Sequence, residues 1–170
     1  MRRFFFRHQP ALRARTWLLA GLGTFLIIGV IAWFDENTAL PLLIASLGSS
    51  CALVFLVPHG PLSQPANVVG GQLVCTLVGL GVGAVLPIAW WSVSLAVALA
   101  VMAMAVLRVT HPPAGANPII VLTTAATWTE AVIPILIGAT AVVVLASLFH
   151  RATGVTYPLH APEKRVRAAD

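Results

Sequence analysis

The sequence predicts an all-α, polytopic membrane protein, a helical bundle of about six hydrophobic segments. Of its 170 residues, 59% are hydrophobic and only 9% are charged, whereas a soluble domain carries roughly 25% charged residues. Mean hydropathy is +0.94. These observations exclude an ordinary soluble domain. They predict one transmembrane domain at 16–150, between a basic arm at 1–15 and a basic tail at 151–170.

Six apolar runs follow one another along the chain, at residues 16–34, 39–57, 68–89, 93–107, 114–127 and 131–149. The first run has 19 residues, close to the ~20 that cross a bilayer as a helix. The fifth has only 14, or about 21 Å of helix, which is less than the ~30 Å of hydrocarbon to be crossed. The turn before the fifth run is therefore expected to lie inside the membrane.

The second and fifth runs are predicted to be broken or re-entrant helices. The triplet G-S-S at 48–50 lies near the middle of the second run, and H-P-P at 111–113 precedes the fifth. Three crossings in each half would make an inverted three-plus-three repeat, an arrangement found in many transporters. The alternative has four full crossings with the second and fifth runs re-entrant. It would place Arg108 outside, whereas six crossings place it in the cytoplasm.

The basic residues predict the orientation in the membrane. Those that flank the apolar runs are Arg2, Arg3, Arg7, Arg13, Arg15, Arg151, Lys164, Arg165 and Arg167. Cytoplasmic flanks are enriched in Lys and Arg, so both termini are expected on the cytoplasmic side of a cell inner membrane. Asp35, Glu36 and Glu130 then lie outside. The same distribution argues against nucleic-acid binding, because the positive charges are placed to meet the lipid bilayer.

The stretch 108–118, R-V-T-H-P-P-A-G-A-N-P, interrupts the apolar pattern most strongly. Irregular backbone at membrane depth is tolerated only where protein or water surrounds it. Proline fits the first turn of a helix, and the N–H groups after it, at about 115–117, are expected to form an anion site. The predicted substrate-binding residues are His111, Pro112, Pro113, Gly115, Ala116 and Asn117, matched by Gly48, Ser49 and Ser50 from the second run.

Each of these features also has a purely structural interpretation. The H-P-P triplet would then be a rigid turn, Asn117 would make an interhelical hydrogen bond, and the G-S-S triplet would pack against a neighbouring helix. A histidine titrates near neutrality when unperturbed, so His111 could couple proton movement to anion movement. Residues predicted to gate or admit the substrate are Arg108, His59, Asn67 and Gln72. Asn67 is alternatively the N-cap of the third helix.

Other motifs carry less chemistry. Gly79 and Gly83 form a G-x-x-x-G pair, which allows another helix to approach closely. Cys51 and Cys75 lie inside apolar runs and are expected to act as small hydrophobic residues. The sequence has no H-x-x-x-H, C-x-x-C, Walker or G-x-S-x-G motif. No catalytic residue, metal site or cofactor is therefore predicted.

Three segments together resemble one family. H-P-P-A-G-A at 111–116, the preceding G-S-S, and P-L-S-Q-P-A-N-V-V-G-G at 61–71 are similar to the HPP family of small integral membrane proteins. The resemblance runs from about residue 39 to 149 and implies a compact helical membrane domain. Some plastid and cyanobacterial relatives are nitrite transporters. The matching positions are His111, Pro112, Pro113, Gly115, Pro65, Asn67, Gly70 and Gly71.

The chain departs from the family pattern at Asn117 and Pro118, where relatives carry small or apolar residues, so the site is expected to differ there. The predicted function is permeation of a small monovalent anion, with nitrite as the candidate, through a channel or secondary carrier. The rival prediction is a membrane scaffold or sensor subunit that transports nothing. An embedded enzyme comes third. Apart from the anion and the bilayer, the expected partner is a second copy of the chain in a homo-oligomer.

Overall fold

The computed structural model describes Phe5 and residues 10–159, and every regular element within them is helical. Residues 10–159 contain six α-helices, namely α1 (Ala14–Asn37), α2 (Ala45–Leu56), α3 (Pro65–Val85), α4 (Trp90–Val106), α5 (Asn117–Thr124) and α6 (Trp128–Thr153). Two 3-10 turns, Pro61–Ser63 and Pro112–Ala116, precede α3 and α5. The predicted all-helical bundle of six segments is confirmed.

Three helices, α1, α3 and α6, are long and apolar enough to cross a membrane. Helix α1 shows how they pack. Its buried residues are Ala20, Gly23, Ile27 and Ile31, spaced three or four apart. This spacing places them in one stripe toward the bundle, because an α-helix turns once every 3.6 residues. The remaining apolar side chains of α1 are largely exposed, and they face lipid once the helix lies in a bilayer.

The predicted break at G-S-S, residues 48–50, is wrong. These residues lie inside α2, and the irregular backbone is the segment before it, residues 38–44. The Ser49 hydroxyl donates to the carbonyl of Ser46 at 3.1 Å, and the Ser50 hydroxyl lies 2.8 Å from the same carbonyl, so the two serines are accommodated within a helix. Pro41 interrupts the chain instead, since proline and the residue before it disfavour a continuing helix.

Helix α3 lies at the centre and contacts α4, α5, α6 and both 3-10 turns. Its glycines make this possible. A Cβ added to Gly79 would lie 2.8 Å from the Cα of Pro118, and one added to Gly83 would lie 2.8 Å from Leu122 Cδ2. Helix α5 therefore packs into the groove beside the G-x-x-x-G pair, and the predicted close approach of a helix is confirmed. Pro65 begins α3, with Gln64 as its N-cap, so Asn67 is not the cap.

The two termini of the described chain lie at the same end of the bundle. Arg15 at the start of α1 donates to the carbonyl of Thr153 at the end of α6, at 3.4 Å. Tyr157, beyond α6, donates to Ser63 O at 3.0 Å. This end, with Arg13, Arg15, Arg108 and Arg151, is called the basic end. The opposite end, with Asp35, Glu36 and Glu130, is called the acidic end.

Each half of the bundle has the same order: a longer helix, an irregular segment, a short helix and another longer helix. In the first half the irregular segment is 38–44, and in the second it is 107–116. This order agrees with the three-plus-three arrangement, although the two-fold relation between the halves stays a prediction. Helix α6 extends to Thr153, three residues beyond the predicted domain boundary at 150, and Gly154 ends it in the left-handed region at φ 77°.

Candidate functional site

His111 lies just before the second 3-10 turn and is fully buried. Its Nδ1 is 2.8 Å from the carbonyl oxygen of Leu62, and its Nε2 is 2.8 Å from the hydroxyl of Ser50. A carbonyl oxygen only accepts hydrogen bonds, so Nδ1 carries a hydrogen. Nε2 then accepts from Ser50 when the ring is neutral and donates to it when the ring is protonated.

The backbone before His111 is held tightly against α3. Arg108 takes a left-handed conformation at φ 59° and reverses the chain after α4. The side-chain amide of Asn67 donates to Thr110 O at 3.0 Å. Gly71 leaves room for the turn, because a Cβ there would lie 2.7 Å from His111 Cβ and 2.8 Å from Val109 O. The N-V-V-G-G segment of α3 therefore positions His111.

Gln72 joins the short helices α2 and α5 through its side chain. Its Oε1 accepts from Ser46 Oγ at 3.1 Å and from Asn117 Nδ2 at 2.6 Å, and its Nε2 donates to Ser50 Oγ at 3.0 Å. Ser46 and Ser50 lie one turn apart in the first half of α2, and Asn117 is the first residue of α5. Gln72 itself is fully buried, so these partners replace water.

Asn117 closes the cluster on the side of the acidic end. Its Nδ2 also lies 3.0 Å from Thr76 Oγ1 and 3.1 Å from Gln72 O, so its two hydrogens are shared among three acceptors. Its Oδ1 is buried and has no hydrogen-bond partner among the described residues. Turning the amide around would set Oδ1 against two oxygens of Gln72, which are acceptors, so the orientation is determined by its neighbours. Asn117 Oδ1 is thus a buried hydrogen-bond acceptor without a partner among the described residues.

These side chains form one connected hydrogen-bond network, called the polar file. It consists of Ser46, Ser50, Gln72, Thr76, His111 and Asn117, all 2% exposed or less, and it ends at the carbonyl of Leu62. Ser46 and Thr76 were not among the predicted site residues. Their spacing from predicted residues could have indicated both. Ser46 precedes Ser50 by four residues and Thr76 follows Gln72 by four, which places each pair on one helix face.

The other predicted site residues do not belong to the polar file. Ser49 is exposed, and a Cβ at Gly48 would meet no atom within 4 Å. Arg108 and His59 are exposed at the basic end. Pro112, Pro113, Gly115 and Ala116 form the 3-10 turn. The backbone N–H of Asn117 donates to Ala114 O within that turn. It is therefore not available to bind an anion, contrary to the prediction.

A cavity of about 820 Å³ opens at the acidic end and reaches inward to the polar file. Its walls come from the end of α1, the segment 38–44, helix α5 and the start of α6. Asp35 and Glu130 line it, and Thr76 and Asn117 contribute from the polar file. Both carboxylates were predicted to lie at the outer interface, but neither was predicted to take part in a site.

Asp35 and Glu130 also hold the walls of the cavity in place. Asp35 Oδ1 accepts from Leu43 N at 2.9 Å, which fixes the irregular segment before α2. Glu130 Oε2 accepts from Thr127 N at 2.9 Å and from Thr127 Oγ1 at 2.7 Å, in a capping box at the start of α6. Each carboxylate keeps a second oxygen that takes part in none of these bonds.

The family model for the HPP transmembrane region matches residues 9–158, nearly the whole chain. The chain belongs to the HPP family. Within this HPP protein, the histidine of the H-P-P triplet joins the polar file, and its two prolines form the turn that leads into α5.

Two transmembrane proteins from Dictyostelium discoideum are similar to this HPP protein. One is 34% identical over 110 residues, which are 62% of this chain and 38% of the relative. The other is 39% identical over 82 residues, which are 46% of this chain and 26% of the relative. The matched region thus spans well under half of the length of either relative. No solved structure is significantly similar to this chain.

Proposed function

We propose that this HPP protein conducts a small polar solute across the membrane. The cavity at the acidic end is the vestibule, and the polar file is the closed barrier between it and the basic end. One observation carries the proposal: buried polar side chains run without interruption from the floor of the cavity to the Leu62 carbonyl. Polar groups inside a membrane bundle are expensive and typically mark a substrate or ion pathway.

The polar file can rearrange without leaving many groups unpaired. The Ser50 hydroxyl has one hydrogen and two acceptors at 2.8 Å, Ser46 O and His111 Nε2. When His111 is neutral, the Ser50 hydroxyl donates its hydrogen to Nε2. With a protonated histidine, Nε2–H becomes the donor and the Ser50 hydrogen turns to Ser46 O. A proton on His111 therefore reverses one hydrogen bond in the barrier, which is how a proton-coupled carrier could change state.

Nitrite is the first solute to test, because the resemblance to nitrite-transporting relatives suggests it. An anion in the cavity would rely on backbone N–H groups at the start of α2, where Ala45 lines the wall. We further propose that both termini lie in the cytoplasm of a cell inner membrane, so that the acidic end faces outward. HPP proteins are not typically enzymes, and we propose no catalytic role for the residues of the polar file.

The test is solute uptake into liposomes that contain only this protein. Nitrite is offered with nitrate, formate and chloride as competitors, with and without a pH gradient. Saturable flux that follows the gradient supports a carrier, and flux indifferent to it supports a channel. If no solute crosses, and a second protein copurifies stably, the scaffold or sensor function replaces the proposal.

Two neighbouring serines provide matched variants for this experiment. Ser50→Ala removes a member of the polar file, whereas Ser49→Ala changes an exposed residue on the same helix. We expect Ser50→Ala to change flux about tenfold, because a hydrogen bond worth about 1.4 kcal/mol corresponds to a factor of ten. Ser49→Ala should leave flux unchanged. Equal flux in the two variants would remove the polar file from the pathway.

A further inference from the structure

We propose that the cavity selects a small organic cation that carries N–H donors. The inference rests on the proposed function and names the solute class for its vestibule. Asp35 and Glu130 line the cavity, and none of the described lining residues is basic. The described arginines, Arg13, Arg15, Arg108 and Arg151, belong to the opposite end. The field in the vestibule is therefore negative, and it raises the local concentration of cations.

The neutral polar side chains of the cavity present acceptors. Thr76 Oγ1 donates its hydrogen to Gln72 O and Thr124 Oγ1 donates to Ile120 O, both at 2.8 Å, so each turns only lone pairs toward a ligand. Thr38 Oγ1 accepts from Leu40 N at 3.3 Å, which leaves its hydrogen free, so Thr38 does not discriminate between the two kinds of solute. A solute that donates hydrogen bonds can satisfy the oxygens of Thr76 and Thr124, whereas an anion cannot.

Asn117 adds an independent observation at the inner end. The residue lines the cavity and is 2% exposed. Its Nδ2 is committed to Gln72 and Thr76, while its buried Oδ1 has no partner among the described residues. An unpaired buried acceptor is unfavourable because it has lost its hydrogen bond to water. A hydrogen-bond donor on a bound solute would pair with it, so the vacant acceptor indicates the chemistry of the ligand.

The size and the remaining walls favour an organic ion over a bare metal ion. A volume of about 820 Å³ falls in the range of ~300–1,000 Å³ typical of small-molecule pockets. Much of the wall is hydrocarbon, from Leu40, Leu43, Ile44, Ile120, Val121 and Ile135. An alkylammonium ion combines a charged N–H group for the carboxylates with an apolar body for these side chains.

The start of α2 is the main feature of the cavity that would favour an anion. Its partial positive charge is too small to determine the sign of the field in the cavity. A helix N-terminus is equivalent to about half a positive charge. Two carboxylates line the same cavity, so they outweigh it. An anion such as nitrite would thus enter against the field, and a cation would enter along it.

The experiment is calorimetric titration of the full chain in lipid nanodiscs with propylammonium as the probe. Tetramethylammonium has the same charge without N–H donors, and propionate has the opposite charge. Asp35→Asn combined with Glu130→Gln removes both charges while keeping an oxygen for each structural hydrogen bond. Glu36→Gln is the matched control, because Glu36 is exposed beside Asp35 and does not line the cavity.

We expect propylammonium to bind more tightly than tetramethylammonium, and propionate not to bind. The double variant should weaken propylammonium binding about tenfold, because it removes the two negative charges that attract a cation to the cavity, and Glu36→Gln should not. Tighter binding of propionate, or equal affinity in the double variant and the wild type, would overturn the inference.

Flux separates this inference from the proposed function. Nitrite flux without propylammonium binding would overturn the cation inference and leave solute passage standing. Propylammonium binding without flux of any solute, including propylammonium itself, would support the inferred site and refute passage. Propylammonium binding together with propylammonium flux that falls in the double variant would support both.

Discussion

Replacing Gly71 by alanine tests how closely α3 holds the H-P-P turn. A Cβ at position 71 would lie 2.7 Å from His111 Cβ and 2.8 Å from Val109 O. Real Cβ contacts are ordinary at 3.4–4 Å, so the turn or the helix must move by roughly 0.6 Å or more. The atoms that must move include backbone, and His111 is fully buried. No flexible side chain can absorb the shift.

The expected change in the free energy of unfolding follows from comparison with Gly81, which also lies in α3. A Cβ at Gly81 would meet no atom within 4 Å. Both substitutions gain helix propensity of up to about 1 kcal/mol, but only Gly71→Ala overpacks the interior, at a typical cost of about 1–3 kcal/mol. The two variants should therefore differ in free energy of unfolding by about 1–3 kcal/mol, with Gly71→Ala the less stable.

The assay is unfolding of each variant in mixed micelles with increasing SDS, followed by loss of helical circular dichroism. Gly71→Ala should unfold at a lower SDS fraction than Gly81→Ala. A shift of His111 should also disturb its 2.8 Å contact with Ser50, so flux through Gly71→Ala should fall. If both variants unfold at the same SDS fraction, the turn does not pack on Gly71 and the positioning argument for His111 is refuted.

Three further predictions concern buried side chains. His111→Ala should change solute flux or its pH dependence while the protein stays folded, because it removes two hydrogen bonds of the polar file; unchanged liposome flux at every pH would exclude His111 from the mechanism. Burial raises the pKa of Tyr157, the one tyrosine of the chain, to about 12. Its phenolate absorbance should titrate near 12 when folded and near 10 in SDS-unfolded protein. Since only the unfolded state ionises between these values, stability should fall across pH 10–12, and a folded-state midpoint near 10 would contradict the burial. Cys51 and Cys75 are 0% exposed, so a maleimide should label them only after unfolding, and rapid labelling of native protein would contradict their packing.

The helices could be predicted from the sequence because lipid leaves few alternatives. A run of about 20 apolar residues must satisfy its own backbone hydrogen bonds and therefore forms a helix. This reasoning located six segments and recognised that the fifth is too short to cross. It failed at residues 48–50, where two serines bond within their own helix instead of breaking it, and Pro41 interrupts the chain upstream.

The site was only partly predictable. The sequence analysis singled out His111, Ser50, Gln72 and Asn117, because polar residues are rare inside apolar helices. It gave them unrelated roles, however, as binding and gating residues, and the structure joins them in one network. The role of Asn67 also changed, from a possible helix cap to a hydrogen bond that holds the H-P-P turn.

The sequence by itself determined the class of protein, the order of its helices and the family to which it belongs, since these depend on composition and local pattern. Tertiary structure alone decided that Asp35 and Glu130, 95 residues apart, line one cavity and that Asn117 keeps an unpaired oxygen at its inner end. The physical reason is that hydrogen-bond partnership and cavity shape depend on side chains from distant segments. The local sequence pattern determines on which face of a helix a residue lies, and tertiary packing determines which residues that face contacts.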